Sequence, residues 1–302
     1  MFELWIPITI FAAFMQNARS ALQKHLKGRL TSLGAAYVRF LYAWPFALIY
    51  LAVLYWGFGW ALPTFHLTFL GWSILGGLSQ ILFTVLLMVL FNFRNFAVGT
   101  TFSKTEVAQV AIFGLLLLGD KISLMAAIAI VISVLGVLIM SAGQTKVSVS
   151  SLFTSLGDKA TMLGLTCGAF LGLSVVFFRA AALSLDHENF VMAASYTLAM
   201  SVVLQTLMMG VYIFWRERKT LTDVLVCWKP ASMVGLAGML GSVGWFTAFT
   251  LQNVAYVRAL GQIELLFTFM VTVFFFREKT TKLEVVGIVL VVVGILLLML
   301  GR

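Results

Sequence analysis

The sequence predicts an all-α integral membrane fold of ten transmembrane helices, arranged as two inverted five-helix repeats, and three observations carry that prediction. First, 62% of the 302 residues are hydrophobic and only 10% are charged, with a mean hydropathy of +1.05. Soluble domains carry about 25% charged residues because their surfaces face water, so most of this surface faces lipid. Second, apolar runs follow one another almost end to end, each near the roughly 20 residues that cross about 30 Å of hydrocarbon. Third, one stretch of the chain recurs 158 residues later without a gap.

Ten apolar segments fall at about 3–22, 33–56, 67–91, 96–118, 122–141, 160–183, 190–214, 231–252, 257–276 and 283–300. They are too long and too uniformly apolar for barrel strands, and lipid admits only closed hydrogen-bonding structures, so each reads as a helix. Most connections are short, which leaves no room for a soluble domain. The longest, from Ala142 to Lys159, is polar and rich in serine (Val147-Ser-Val-Ser-Ser151) and divides the chain into repeats at 1–141 and 160–302. No cleavable signal stands out, since Leu4 to Phe14 lacks a basic segment before it and runs on into a full-length span. Basic residues concentrate in the loops after odd-numbered segments, from Lys24, Lys27 and Arg29 to Arg94, Lys146, Arg216, Arg218, Lys219 and Lys282. Loops after even-numbered segments hold little beyond Lys121, so the positive-inside rule puts both termini outside. The formal charge of +9 is therefore a topology signal facing anionic lipid and not a nucleic-acid footprint.

The repeat is specific in its punctuation. Asn95, Glu106, Lys121 and Gly136 of the first half correspond to Asn253, Glu264, Lys279 and Gly294 of the second, each pair 158 residues apart. Arg19 and Arg179 agree more weakly, at a spacing of 160. An odd number of helices in each half forces opposite orientations in the membrane, and inverted repeats are a transporter signature with the substrate site near the midplane.

At these residues the chain resembles the drug/metabolite transporter superfamily, specifically its ten-helix EamA-type members. The resemblance rests on an acidic residue in the turn after helices four and nine followed by a glycine in the next helix, here Gly119-Asp120-Lys121 with Gly136, and Arg277-Glu278-Lys279 with Gly294. It also rests on Lys24 after helix one and Arg39 in helix two. It covers essentially the whole chain and implies a multi-pass carrier in a cell membrane, a bacterial inner membrane being the expected setting. The chain departs from the family where many members have a proline early in helices four and nine: it has Glu106 and Glu264 there. The motifs specify architecture and leave the substrate open.

Ionisable residues inside a membrane are functional candidates by default, because each costs about 2.5–3.5 kcal/mol at the bilayer centre on insertion scales. Glu106 and Glu264 lie near mid-depth at equivalent repeat positions and are expected on opposite walls of one water-accessible cavity. The bland reading of each is a protonated acid in a helix-packing hydrogen bond. Such acids suit either proton coupling or neutralisation of a substrate ammonium. Gln109 shares a helix face with Glu106, whereas Lys104, two residues earlier, points away towards a neighbouring helix. Arg19, Arg39, Arg179 and Arg258 lie near helix ends, where snorkelling explains them as well as substrate contact does. Basic mouths around an acidic centre would suit a zwitterion such as an amino acid. Trp44 and Trp245 fall deeper than the other tryptophans; packing accounts for both, and Trp245 is kept as a candidate wall of the site.

Small residues let helices approach closely in lipid. Gly164, Gly168 and Gly172 form a stripe at every fourth residue, and Gly235, Gly238, Gly241 and Gly244 a row at every third. Cys167 and Cys227 sit among apolar neighbours and read as small core residues. His25, His66 and His187 are unclustered, so no metal site, cofactor or catalytic triad is expected, and no phosphate-binding glycine loop appears. The chain is not expected to be an enzyme. The expected function is a secondary-active exporter of a small polar metabolite such as an amino acid, with protons a candidate coupling ion. An organic-cation or drug carrier neutralised by the two glutamates is the alternative, with an integral-membrane enzyme or structural protein as the other class. Its expected partners are a small molecule and the bilayer, not nucleic acid.

Overall fold

The computed structural model describes residues 3–26, 29–90, 93, 96–145, 154–275 and 280–301. Asn95, Arg277, Glu278 and Lys279 of the expected motifs, Lys27, Arg94 and Lys146 of the basic loops, the serine run of the linker and the side chain of Lys24 lie outside the described residues. The described chain is all helical, without a strand. In chain order the helices are α1 (Trp5–Leu26), α2 (Ser32–Leu41), α3 (Trp44–Ala52), α4 (Leu67–Leu90), α5 (Phe96–Ser103), α6 (Glu106–Leu118) and α7 (Leu124–Thr145). There follow α8 (Lys159–Ser184), α9 (Phe190–Arg216), α10 (Arg218–Val226), α11 (Trp228–Leu251), α12 (Val254–Gly261), α13 (Ile263–Met270) and α14 (Lys282–Leu300).

Among the described residues eight helical stretches are long and apolar enough to cross a membrane, including Ser32–Gly57 and Ala97–Leu118, each of which spans a joint between helices. The first and ninth expected segments are not among them. α1 is 22 residues long, but its second half carries Gln16, Asn17, Arg19 and Gln23. The ninth segment is divided into α12, α13 and a π-helical turn, Val271–Phe275.

Packing sorts the chain into two compact units, residues 1–81 with 177–252, and residues 82–176 with 253–302. The expected halves are units of sequence; the units of packing each draw on both. In the first unit the glycine row of α11 seats α1. A Cβ on Gly244 would lie 2.7 Å from Ala12 Cβ, one on Gly241 3.5 Å from Gln16 N, and one on Gly238 3.2 Å from Arg19 Cδ. Ascending numbers on one helix meet descending numbers on the other, so α1 and α11 are antiparallel. Around Phe178, whose ring centroid is 4.9 Å from that of Phe246, a core of Ala47, Leu198 and Met239 fills the unit.

In the second unit α7 and α14 cross antiparallel on glycines. A Cβ on Gly136 would stand 2.8 Å from Gly287 O, and one on Gly294 2.9 Å from Ala129 O and Ser133 Cβ. These two contacts exchange into one another at the spacing of 158 residues. The same exchange governs the helix starts. Ser123 Oγ accepts from Ala126 N at 3.1 Å and donates to Gly301 O at 2.6 Å. Thr281 Oγ1, which caps α14 in a capping box with Glu284, faces Gly143 in turn. Gly119, in the Gly119-Asp120-Lys121 motif, ends α6 in the left-handed conformation (φ 69°), which glycine adopts without a Cβ penalty. Its N–H bonds Leu115 O, the 5→1 closure of an αL helix end, and the N–H of Asp120 bonds Gly114 O.

Candidate functional site

The chain from 96 to 118 is one candidate span interrupted near its centre. α5 ends at Ser103 and α6 starts at Glu106, the tenth residue of Ala97–Leu118. No glycine or proline causes the break. Hydroxyls do: Ser103 Oγ donates to Thr100 O at 2.8 Å and Thr105 Oγ1 to Phe102 O at 2.7 Å, drawing carbonyls away from the α-helical ladder. The backbone tightens accordingly, with Lys104 N–H on Thr101 O and Thr105 N–H on Phe102 O, both one residue short of α-helical spacing. α12 and α13 are separated at the corresponding place. There Gln262 N–H bonds Ala259 O, and the carbonyl it would otherwise reach, that of Arg258, accepts from the Gln262 side chain at 3.4 Å.

Each break presents an acid to a new half-helix. Glu106 is the first residue of α6 and Glu264 the second of α13, where the unsatisfied N–H groups and the positive end of the helix dipole favour a carboxylate. These are also the positions where the family resemblance leads one to expect proline, a residue favoured at the first helical position because its missing N–H has no intrahelical partner to lose. Arg258 lies in the last turn of α12, at the negative end of its dipole.

The break brings these charges together. Arg258 and Glu106 form an ion pair: Nε donates to Oε1 at 3.1 Å, and Nη2 reaches the same oxygen. Glu106 is 3% exposed. Its Oε2 is buried and has no hydrogen-bond partner among the described residues. Glu264 is half-buried, and its charge acts on the same guanidinium. Gln109 donates to Thr105 Oγ1 at 3.0 Å and to Leu165 O at 3.3 Å, tying the start of α6 to α8. The glycine stripe of α8 lies against this break. A Cβ on Gly164 would fall 2.1 Å from Gly99 O, and one on Gly168 2.9 Å from Ser103 O. Lys104 lies in the break between α5 and α6, where helical spacing does not apply, and it is exposed rather than set against a neighbouring helix.

The other four candidates belong to the first unit. Arg179 Nη1 donates to Phe249 O at 2.6 Å and contacts Gln252 O, so it caps the C-terminal end of α11, where a cation meets the orphan carbonyls. Arg39 is half-buried in the last turn of α2, its Cζ 4.9 Å from the Phe40 ring centroid, and the charge of Arg19 acts on it. Trp245 is 7% exposed, stacks on Phe249 at 5.7 Å, and donates its indole N–H to Gln16 Oε1 at 3.0 Å.

Sequence spacing singled out Glu106 but missed its partner. Arg258 reads from the sequence as a snorkelling residue near a helix start. A usable signal was present: an arginine six residues before Glu264, inside a repeat whose other copy has Thr100 at that position. Burying an arginine on one half alone asks for an acid within reach.

Comparison with known proteins supports the resemblance to the drug/metabolite transporter superfamily. Residues 158–300 match the model of the EamA-like transporter family. A crystal structure of a protein with 12% identity superposes with a TM-score of 0.71 over 99% of this chain and 97% of that one, a likeness of fold alone. No curated protein matches the sequence.

Proposed function

With residues 158–300 an EamA-like transporter sequence, we propose that the chain is a secondary-active carrier that exports a small polar metabolite, an amino acid being the class favoured. The observation that carries this reading is the Glu106–Arg258 pair at the helix breaks. Broken helices bring backbone dipoles and charges to membrane depth, where carriers bind their cargo. An acid with one oxygen still open to a donor, beside a guanidinium, offers both signs of charge within a few ångströms. A zwitterion matches that pattern: its ammonium suits Glu106 Oε2 and its carboxylate suits Arg258. Glu264, at the second break, adds a further acid for the cargo or for a coupling proton. The alternative, an organic-cation carrier neutralised by the two glutamates, requires Glu106 to give up Arg258.

The test is thermal stability of the purified protein against panels of amino acids, organic cations and organic anions, with Glu106→Gln and Glu264→Gln variants alongside. Ligand at 100 times its dissociation constant raises stability by about 2.7 kcal/mol. The expected outcome is stabilisation by amino acids that Glu106→Gln abolishes. Stabilisation by organic cations alone supports the alternative, and hits untouched by both variants place the cargo elsewhere.

A further inference from the structure

We infer that Arg258 is the counter-cation of the unloaded carrier, the residue that lets the chain change state without cargo and so perform net transport and not exchange alone. The inference rests on the carrier reading above and adds to it a transport mode.

The argument begins from a charge. Glu106 is 3% exposed, on the first turn of a half-helix inside a membrane span. A bare carboxylate there is strongly disfavoured, so it needs a positive partner in every state that the protein visits. A carrier can draw that partner from cargo, from a proton or from its own chain. If only cargo serves, the empty protein is held back from crossing between its two states, and transport becomes an exchange of one cargo for another. Here the chain supplies the partner: two N–H groups of Arg258 meet Oε1 of Glu106.

Position and asymmetry single out Arg258 for this role. It sits in the last turn of α12, four residues before the joint at Gln262, and beyond that joint Glu264 acts on the same guanidinium. Lys104, though nearer in sequence, is exposed and forms no ion pair with Glu106. The residue 158 positions before Arg258 is Thr100, whose hydroxyl is spent on Ala97 O at 2.9 Å. Each half thus brings an acid to its break, and among the described residues the base paired with an acid there is Arg258.

The experiment uses the full chain in liposomes loaded with a mixture of 14C-labelled L-amino acids. Efflux is measured into amino-acid-free buffer and, separately, into buffer holding the same amino acids unlabelled. Wild type is expected to release label in both. Because Arg258 also faces the cargo, Arg258→Gln is expected to slow both modes, but net efflux about tenfold or more beyond exchange, as an uncompensated acid at membrane depth implies, so the ratio of exchange to net efflux rises. Arg258→Lys is expected to keep the wild-type ratio of exchange to net efflux, and Glu106→Gln/Arg258→Gln, in which no bare charge remains, to return towards that ratio at whatever rate is left. Equal loss of both modes in an Arg258→Gln protein that still melts cooperatively overturns the inference and leaves the carrier reading intact. So does unchanged net efflux. A wild-type protein that releases no label in either mode overturns the amino-acid carrier reading, and the inference with it.

Discussion

The two helix breaks of the second unit sit at the same register and differ in almost everything else. At the first, between α5 and α6, hydroxyls of Ser103 and Thr105 hold the freed carbonyls, Glu106 is buried, and glycines of α8 press against the backbone. At the second, between α12 and α13, the amide of Gln262 holds the freed carbonyl, Glu264 is half-buried, and the helix runs on into a π-helical turn at Val271–Phe275. The break itself follows from a shared pattern; its electrostatics follow from what each neighbour supplies. One joint is built as a clamped, charge-paired seat and the other as a looser hinge. The two acids differ accordingly, Glu106 buried and paired with Arg258, Glu264 half-buried.

Removing the charge pair should separate the two most sharply. Glu106→Gln leaves Arg258 buried without its acid and is expected to cost about 3–5 kcal/mol of stability, most of it recovered when Arg258→Gln is added. Thermal midpoints of the single and double variants in one detergent measure this, and strict additivity would show that the two residues do not act as a pair. Overpacking the clamped joint comes next. Gly164→Ala puts a methyl group 2.1 Å from Gly99 O, and a loss of about 1–3 kcal/mol is expected. Gly157→Ala, with nothing within 4 Å of the added carbon, is the control that should leave the midpoint in place. Uncovering the freed carbonyl of the hinge, by Gln262→Ala, is expected to cost about 1–2 kcal/mol and to speed amide exchange around 262–265 more than around 104–107. Glu264→Gln should be the mildest, below about 1 kcal/mol, because a half-buried acid loses less on neutralisation. A Glu264→Gln effect as large as that of Glu106→Gln would make the joints equivalent and remove the distinction drawn here.

Much of this was legible in one dimension. Apolar length and the scarcity of charge determine the all-helical membrane class, because lipid leaves a chain no other way to satisfy its backbone. The spacing of 158 residues marks Gly136 and Gly294 as equivalent positions, and the structure seats both in one helix pair. Glycine stripes marked the surfaces where helices touch, since only a missing Cβ allows backbones so close.

Tertiary structure decided the partners. Arg258 and Glu106 are 152 residues apart, and Arg179 caps a helix that ends 73 residues later; no local pattern states which carbonyl or carboxylate waits across the gap. Four arginines looked alike in sequence because a long flexible side chain near a helix end has several cheap fates: the interface, a helix end, an aromatic ring or an acid. The choice among them is made by packing, which fixes the neighbours a guanidinium can reach. The break between α5 and α6, which has no glycine or proline, was likewise invisible, since it arises from hydroxyls bonding backward, an option that serine and threonine also have in unbroken helices. What a sequence states is where chains of one kind must lie; which charges meet is settled only when the helices do.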